Sequence, residues 1–121
     1  MTKRRQAIGK YGEQLALKQY ELAGYSLLFH NYRCPLGEID LIMRKGHTIL
    51  FIEVRTRTST TYGTAEESVT PRKQQKIRKV SSFFLQKNPQ YLQVNLQFDV
   101  VTVYLDLDEK KAWFNRIEHA F

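Results

Sequence analysis

Residues 37–57 read GEIDLIMRKGHTILFIEVRTR, in which carboxylates and arginines sit among alternating apolar residues. Two strand-like runs, Glu38 to Met43 and Thr48 to Thr56, flank Arg44-Lys45-Gly46-His47. A glycine in so short a connection marks a tight hairpin, so the runs are expected to pair antiparallel. Strand side chains alternate between faces. That puts Glu38, Asp40 and Ile42 on one side of the first run, and Ile49, Phe51, Glu53 and Arg55 on one side of the second. With the turn centred on Lys45-Gly46, Asp40 faces Phe51, Glu38 faces Glu53, and Asp40 and Glu53 are diagonal neighbours roughly 7–8 Å apart. An odd-numbered loop would instead send the two acids to opposite faces.

Carboxylates beside Ile42, Ile49 and Phe51 raise one another's pKa, so one of them must take up a proton or find a cation. A hard divalent ion such as magnesium or manganese resolves the conflict through oxygen ligands. Arg55, two residues beyond Glu53 on the same side, is then placed to steady a phosphate. The plainer reading is a solvated strand face of paired Glu and Arg, and the spacing alone leaves both open.

The other totals narrow the class. At 121 residues the chain is expected to form a single domain, 1–121, and its 42% hydrophobic residues favour a folded globule over a basic tail. One cysteine, Cys34, permits no internal disulfide, and no apolar run reaches the roughly 20 residues that cross a bilayer. The basic start, Met1-Thr2-Lys3-Arg4-Arg5, is not followed by the apolar stretch of a signal peptide. A cytoplasmic protein that makes no use of a membrane is therefore expected. The net charge of +7 is uneven: residues 1–87 carry a balance of +9 and residues 88–121 one of −2. The excess surrounds the acidic hairpin and points to nucleic acid as the partner.

Arg5 to Ala23 reads as a helix with Ile8, Tyr11, Leu15, Leu22 and Ala23 on its buried stripe, and Glu13 to one side of it. Tyr25 to Arg33 reads as a strand in which His30 is a polar edge residue. The Thr- and Ser-rich stretch from Arg57 to Val69 reads as a loop beside the site, capable of ordering on a ligand. A second helix is expected from the cap Thr70 and Pro71 to about Lys87, burying Ile77, Val80, Phe84 and Leu85. Its flank of Arg72, Lys73, Lys76 and Lys79 suits either a phosphate backbone or plain solvent. Strands follow at Leu96 to Leu105 and Ala112 to Ile117. Asp99 faces away from Leu96, Phe98 and Val100, and a structural role for it is at least as natural as a metal one.

Asp40 and, thirteen residues later, Glu53-Val54-Arg55 resemble the PD-(D/E)XK nuclease core, with Arg55 where that signature has lysine. A closer likeness spans nearly the whole chain, in Tyr11-Gly12-Glu13, Asn31-Tyr32-Arg33, Gly37-Glu38-Ile39-Asp40-Leu41-Ile42, Phe51-Ile52-Glu53-Val54-Arg55, Ser68-Val69-Thr70-Pro71-Arg72-Lys73-Gln74, Phe98-Asp99-Val100-Val101 and Ala120-Phe121. These resemble the YraN-like family of bacterial proteins, uncharacterised protein family 0102. The resemblance implies a restriction-endonuclease-like α/β (α+β) fold similar to archaeal Holliday-junction resolvases, with a mixed five-stranded sheet flanked by helices in the order α-β-β-β-α-β-β. It also implies a site built from Glu13, Asp40, Glu53 and Arg55, with the three acids holding Mg2+ or Mn2+, and it leaves a homodimer open.

The leading expectation is a metal-dependent endonuclease hydrolysing phosphodiester bonds in DNA, branched DNA included, with Arg57, Arg72, Lys73, Lys76 and Lys79 on the backbone. The alternative is a nucleic-acid-binding module on a nuclease-derived fold without turnover. A third is an adaptor whose basic flank meets an acidic protein. Arginine at 55 holds a phosphate well but does not readily give up a proton, so a general-base role at that position is not expected.

Overall fold

The computed structural model describes residues 3–58 and 69–121, and most of the loop expected between Arg57 and Val69 lies outside the described residues. The elements are α1 (Lys3–Leu22), β1 (Ser26–Cys34), β2 (Gly37–Lys45), β3 (Thr48–Thr58), α2 (Pro71–Lys87), β4 (Asn95–Asp106) and β5 (Lys111–Ile117), with a 3-10 turn at Pro89–Tyr91. The strands form one sheet in the order β1-β2-β3-β4-β5. Every neighbouring pair is antiparallel except β3 and β4, which run parallel and are joined through α2. A parallel pair needs such a crossover, and the long helix supplies it.

The two helices cover opposite faces. Ile77, Val80 and Phe84 of α2 pack with Ile39, Ile42, Ile49, Phe51, Phe98 and Val100, whereas Ala16 and Tyr20 of α1 pack with Leu41, Met43, Leu50, Ile52, Val101, Val103 and Leu105. This is why residues 49–52 read Ile-Leu-Phe-Ile without a polar partner: a strand covered on both sides is apolar at every position. The expected α/β class, the mixed five-stranded sheet and the element order are those of the structure.

Helix α2 begins as its sequence demands. Lys73 donates its backbone N–H to Thr70 Oγ1 at 3.2 Å, Pro71 occupies the first turn, and Asn88 ends the helix. Ser81 is buried along with the expected apolar residues, while Leu85 is only partly so. Phe84 makes edge-on contacts with Phe29, Tyr32 and Phe51. Truncating a side chain so placed costs about 3–5 kcal/mol.

Helix α1 departs from expectation. Its buried residues are Gly12, Ala16 and Tyr20, whereas Tyr11 and Leu22 are 51% and 74% exposed. The ridge that meets the sheet thus runs at i, i+4 spacing through two small residues, Gly12 and Ala16, to Tyr20, and the small ones let the helix lie close against β3. A Cβ at Gly12 would collide with the Thr56 side chain, which fixes glycine there and brings the next residue, Glu13, to the sheet. Nothing crowds Gly9.

The hairpin register also departs, by two residues. Lys45 pairs with Thr48, so the loop is Gly46-His47 rather than Lys45-Gly46. Gly46 adopts φ 59°, and a glycine at the first of two loop positions is what a type II′ hairpin requires. Ile42 therefore lies opposite Phe51 and Leu41 opposite Ile52, not Asp40 opposite Phe51. Continued by one more step, this register would set Asp40 opposite Glu53 rather than diagonal to it, but the ladder ends before them, at Leu41↔Ile52.

Candidate functional site

The β2–β3 ladder stops at Leu41↔Ile52, yet β2 stays paired to β1 as far as Cys34↔Gly37 and β3 stays paired to β4 as far as Thr58↔Leu105. The sheet consequently opens between its second and third strands. Asp40 stands on one lip and Glu53 on the other. The regular alternation of β2 also breaks here, since Ile39 packs on the α2 side and Leu41 on the α1 side. Asp40 bridges the opening: its Oδ2 accepts a hydrogen bond from the Val54 backbone N–H at 2.8 Å. The carboxylate thus substitutes for the ladder partner that Val54 has lost.

Electrostatics mark the same spot. Burial, then the charge of Glu53, push the Asp40 pKa from 3.8 up to about 7; the Val54 hydrogen bond pulls the other way, and Glu13 and Glu38 add to the rise. Acids from α1, β2 and β3 therefore converge on one region of negative potential. Their partners differ. Glu53 Oε1 receives Lys73 Nζ at 2.7 Å, and the Glu53 side chain is 14% exposed. Glu13 Oε2 lies 3.7 Å from His30 Nε2, and Glu38 forms an exposed ion pair with Arg33 at 3.1 Å. Among the described residues, no group of three or more His, Cys, Asp and Glu side chains is gathered closely enough to hold a metal ion. The arrangement is accordingly Asp40, bonded across the opening to β3 and close enough to Glu53 to feel its charge, with Glu13 also within electrostatic reach.

Arg55 and Arg57 follow Glu53 on β3 and are half-buried, and Arg57 donates to the Thr56 carbonyl at 3.2 Å. By the alternation that sends Ile49 and Phe51 toward α2, Glu53, Arg55 and Arg57 share the α2 face. Of the basic flank expected on α2, Arg72 and Lys79 are exposed, and Lys76 lines an open hollow with Arg33 and Glu38 beside the β2 lip. Lys73 alone reaches the acidic pair. Its position three residues after the cap was visible in the sequence, but the partner across the sheet was not. The opening itself left no mark in hydropathy, because both lips continue as ordinary strands.

Asp99 has a different task. It is 1% exposed and accepts from Tyr20 Oη, Arg116 Nε, Gln97 Nε2 and the His119 backbone N–H at 2.9–3.3 Å. Arg116 also donates to Tyr25 Oη at 3.2 Å and lies over the rings of Tyr20 and Tyr25. Burial first, and Asp99 next, hold the Tyr20 phenol firmly protonated. Four donors satisfy this carboxylate, so it serves as a strut tying α1 to β4 and β5.

Among the described residues, no helix is long and apolar enough to cross a membrane. Fold and site together define a mixed α/β domain with an acidic pair at a split in its sheet. The chain belongs to the uncharacterised protein family UPF0102, whose family model matches residues 12–103. It is 44% identical over 121 residues to a UPF0102 protein of Moorella thermoacetica, covering 100% of this chain and 98% of the relative. It is 42% identical over 111 residues to one of Desulfitobacterium hafniense strain Y51, covering 92% of each chain. With a UPF0102 protein of Syntrophus aciditrophicus the identity is 50% over 97 residues, covering 80% of this chain and 76% of the relative.

Proposed function

We propose that the protein is a magnesium- or manganese-dependent endonuclease that hydrolyses phosphodiester bonds in DNA, branched DNA included. The observation that carries this reading is the reach of Asp40 across the sheet opening to β3, where it accepts from the Val54 N–H at 2.8 Å and feels the charge of Glu53, so that its pKa is pushed up to about 7. Lys73 already neutralises Glu53, so the uncompensated acid is Asp40, buried and raised by the Glu53 charge, and carboxylate oxygens are the donors that hard divalent ions prefer. Magnesium is commonly held by one or two carboxylates together with substrate phosphates, so the absence of a larger ligand group among the described residues is compatible with it. Bound there, the ion supplies Lewis acidity toward a phosphodiester oxygen and toward an attacking water.

The remaining roles fall to the chain itself. Arg55, on the Glu53 side of β3, offers a planar guanidinium to the phosphate and stabilises charge as it builds there. Lys73 neutralises Glu53 from α2, while arginine holds the strand position. Glu13, brought in by the close approach of Gly12 to β3, adds negative potential and orients solvent. Arg57, Arg72, Lys76 and Lys79 attract the nucleic-acid backbone. Two copies acting on the two strands of a junction would follow the resolvase likeness, and sedimentation equilibrium measures that.

A second reading, a nucleic-acid-binding module without turnover, is favoured by the Lys73–Glu53 contact of 2.7 Å, which leaves Asp40 as the one acid of the pair open to a cation. Incubating the protein with branched and linear DNA in magnesium or manganese, beside Asp40→Ala and Glu53→Ala, separates the two. Cleavage by the wild type that both variants lose supports the enzyme. Cleavage that persists in the variants, or none on any substrate, refutes it.

A further inference from the structure

Both helices start at the same end of the sheet. Gly12 of α1 lies against Thr56 near the end of β3, and two turns later Tyr20 reaches Asp99, which is level with Ile52. Just past the helix end, the Ala23 carbonyl accepts from Lys45 of the hairpin. On the other face, α2 sets Lys73 on Glu53 and both Lys76 and Val80 beside Gly37, and a turn later Phe84 meets Phe29 and Phe51. The helices thus run in the same direction, from the opening toward the hairpin, one on each face.

Neither first turn carries an acid. Cations stand there instead: Lys3 and Arg4, followed by Lys10, on α1, and Arg72, followed by Lys76 and Lys79, on α2, all of them exposed. The helix dipole opposes positive charge in a first turn, so neither helix gains stability from this placement. Among the described residues, none of these six cations has an acidic partner. From Gly12 back to Lys3, α1 extends about 13 Å, whereas β3 continues only about 7 Å from Thr56 to Thr58, so the basic turns of α1 overhang the end of the strand. A methyl group at Gly9 would touch nothing, as such an overhang requires.

We infer that the first turns of α1 are a second basic grip which, together with the flank of α2, straddles the open end of the sheet and holds a DNA duplex across it. The inference rests on the proposed nucleic-acid reading and narrows its substrate to DNA that is double-stranded beside the acidic pair. Two helices on opposite faces of a sheet stand roughly 20 Å apart between axes, since each is about 10 Å thick and the sheet layer takes about 10 Å more. The two backbones of a duplex, set apart by a major groove about 12 Å wide, can meet both flanks at once when Lys and Arg side chains reach inward. A single strand has one backbone to offer. Contacts with phosphates carry no sequence information, so no base preference is expected from this grip.

Salt dependence of binding tests this. The full chain is titrated, in chelator so that no cleavage occurs, with end-labelled DNA as a perfect duplex and as a single strand of equal length, and binding is read from the anisotropy of the label. Replacing Lys3, Arg4 and Lys10 together by glutamine should flatten the duplex slope of log affinity against log salt by about 2–3, and the single-strand slope by no more than about 1. The matching replacement of Arg72, Lys76 and Lys79 should flatten the duplex slope by about as much. Lys18→Gln with Lys87→Gln, exposed cations away from the open end, should leave it unchanged. Urea unfolding of the α1 variant should match the wild type, since the charges removed are ones the helix dipole opposes, and Lys3→Arg with Lys10→Arg should keep the wild-type slope. An α1 variant that loses no more duplex slope than the Lys18 and Lys87 control would overturn the grip, while a loss in the α2 variant keeps the nucleic-acid reading standing. Equal losses on duplex and single strand would overturn the assignment to a duplex. Failure of the wild type to bind either DNA at low salt would overturn both the grip and the reading it rests on.

Discussion

Replacing Asp40 by asparagine should make the protein more stable at neutral and alkaline pH, and the size of the gain follows from the site. The folded-state pKa of Asp40, about 7, lies above its ordinary 3.8, so the folded protein binds this proton more tightly than the unfolded chain. Such a group stabilises the fold below the unfolded pKa, and that contribution is lost as pH rises through the folded one. Ionising Asp40 between pH 3.8 and about 7 removes roughly 4 kcal/mol. Domains of this size hold only about 5–15 kcal/mol in all, so the effect is large. The amide introduced by Asp40→Asn keeps an oxygen that can accept from the Val54 N–H and carries no charge to be repelled by Glu53. Urea unfolding of wild type and Asp40→Asn across pH checks this. The two should be nearly equal below about pH 4, diverge in favour of the variant up to about pH 7, and run parallel above it. Saturating magnesium should restore the wild type by about 2.7 kcal/mol at a hundredfold excess over Kd, and leave the variant unmoved. A stability difference independent of pH, or a variant less stable at alkaline pH, would refute the reasoning.

Other substitutions separate the parts of the account. Gly12→Ala forces a methyl group into Thr56 and should push α1 from β3, costing about 1–3 kcal/mol in urea unfolding and reducing cleavage through displacement of Glu13. Lys73→Met leaves Glu53 beside Asp40 without its cation, so stability should fall by about 1–3 kcal/mol at alkaline pH and recover when magnesium is added. Arg55→Ala, assayed at a temperature where the variant stays folded, should lower cleavage because the guanidinium meets the phosphate; undiminished cleavage would refute that role. Arg116→Met removes the cation from the buried Asp99 and leaves it three neutral donors, so it should cost about 1–3 kcal/mol, with residual cleavage at temperatures where the variant stays folded.

How much of this could be read beforehand depends on what each element used to hold itself in place. The strand runs around the hairpin and at Leu96 to Leu105, and the Thr70-Pro71 start of α2, follow from local chemistry and were legible, whereas the two-sided burial of β3 shows only in the structure. The hairpin loop was ambiguous because Arg44-Lys45-Gly46-His47 admits glycine at either loop position, and the observed ladder, displaced by two residues, ends at Leu41↔Ile52 before it reaches Asp40 and Glu53. In helix α1 apolar periodicity favours Tyr11 and Leu22, while the contact ridge runs from Gly12 and Ala16, whose small size permits close approach but registers weakly as hydrophobic, to Tyr20. The sheet opening and the reach of Lys73 to Glu53 depend on contacts between distant segments, for which a single chain holds no periodic signal.

The central claim is that Asp40 and Glu53 share a divalent cation across the opening between β2 and β3. Anomalous diffraction from crystals of the full chain grown in millimolar manganese tests it most directly. The account predicts a single manganese peak between the two carboxylates, with Lys73 Nζ displaced from Glu53. Electron density that leaves Lys73 on Glu53 and shows no anomalous peak at Asp40 would contradict it.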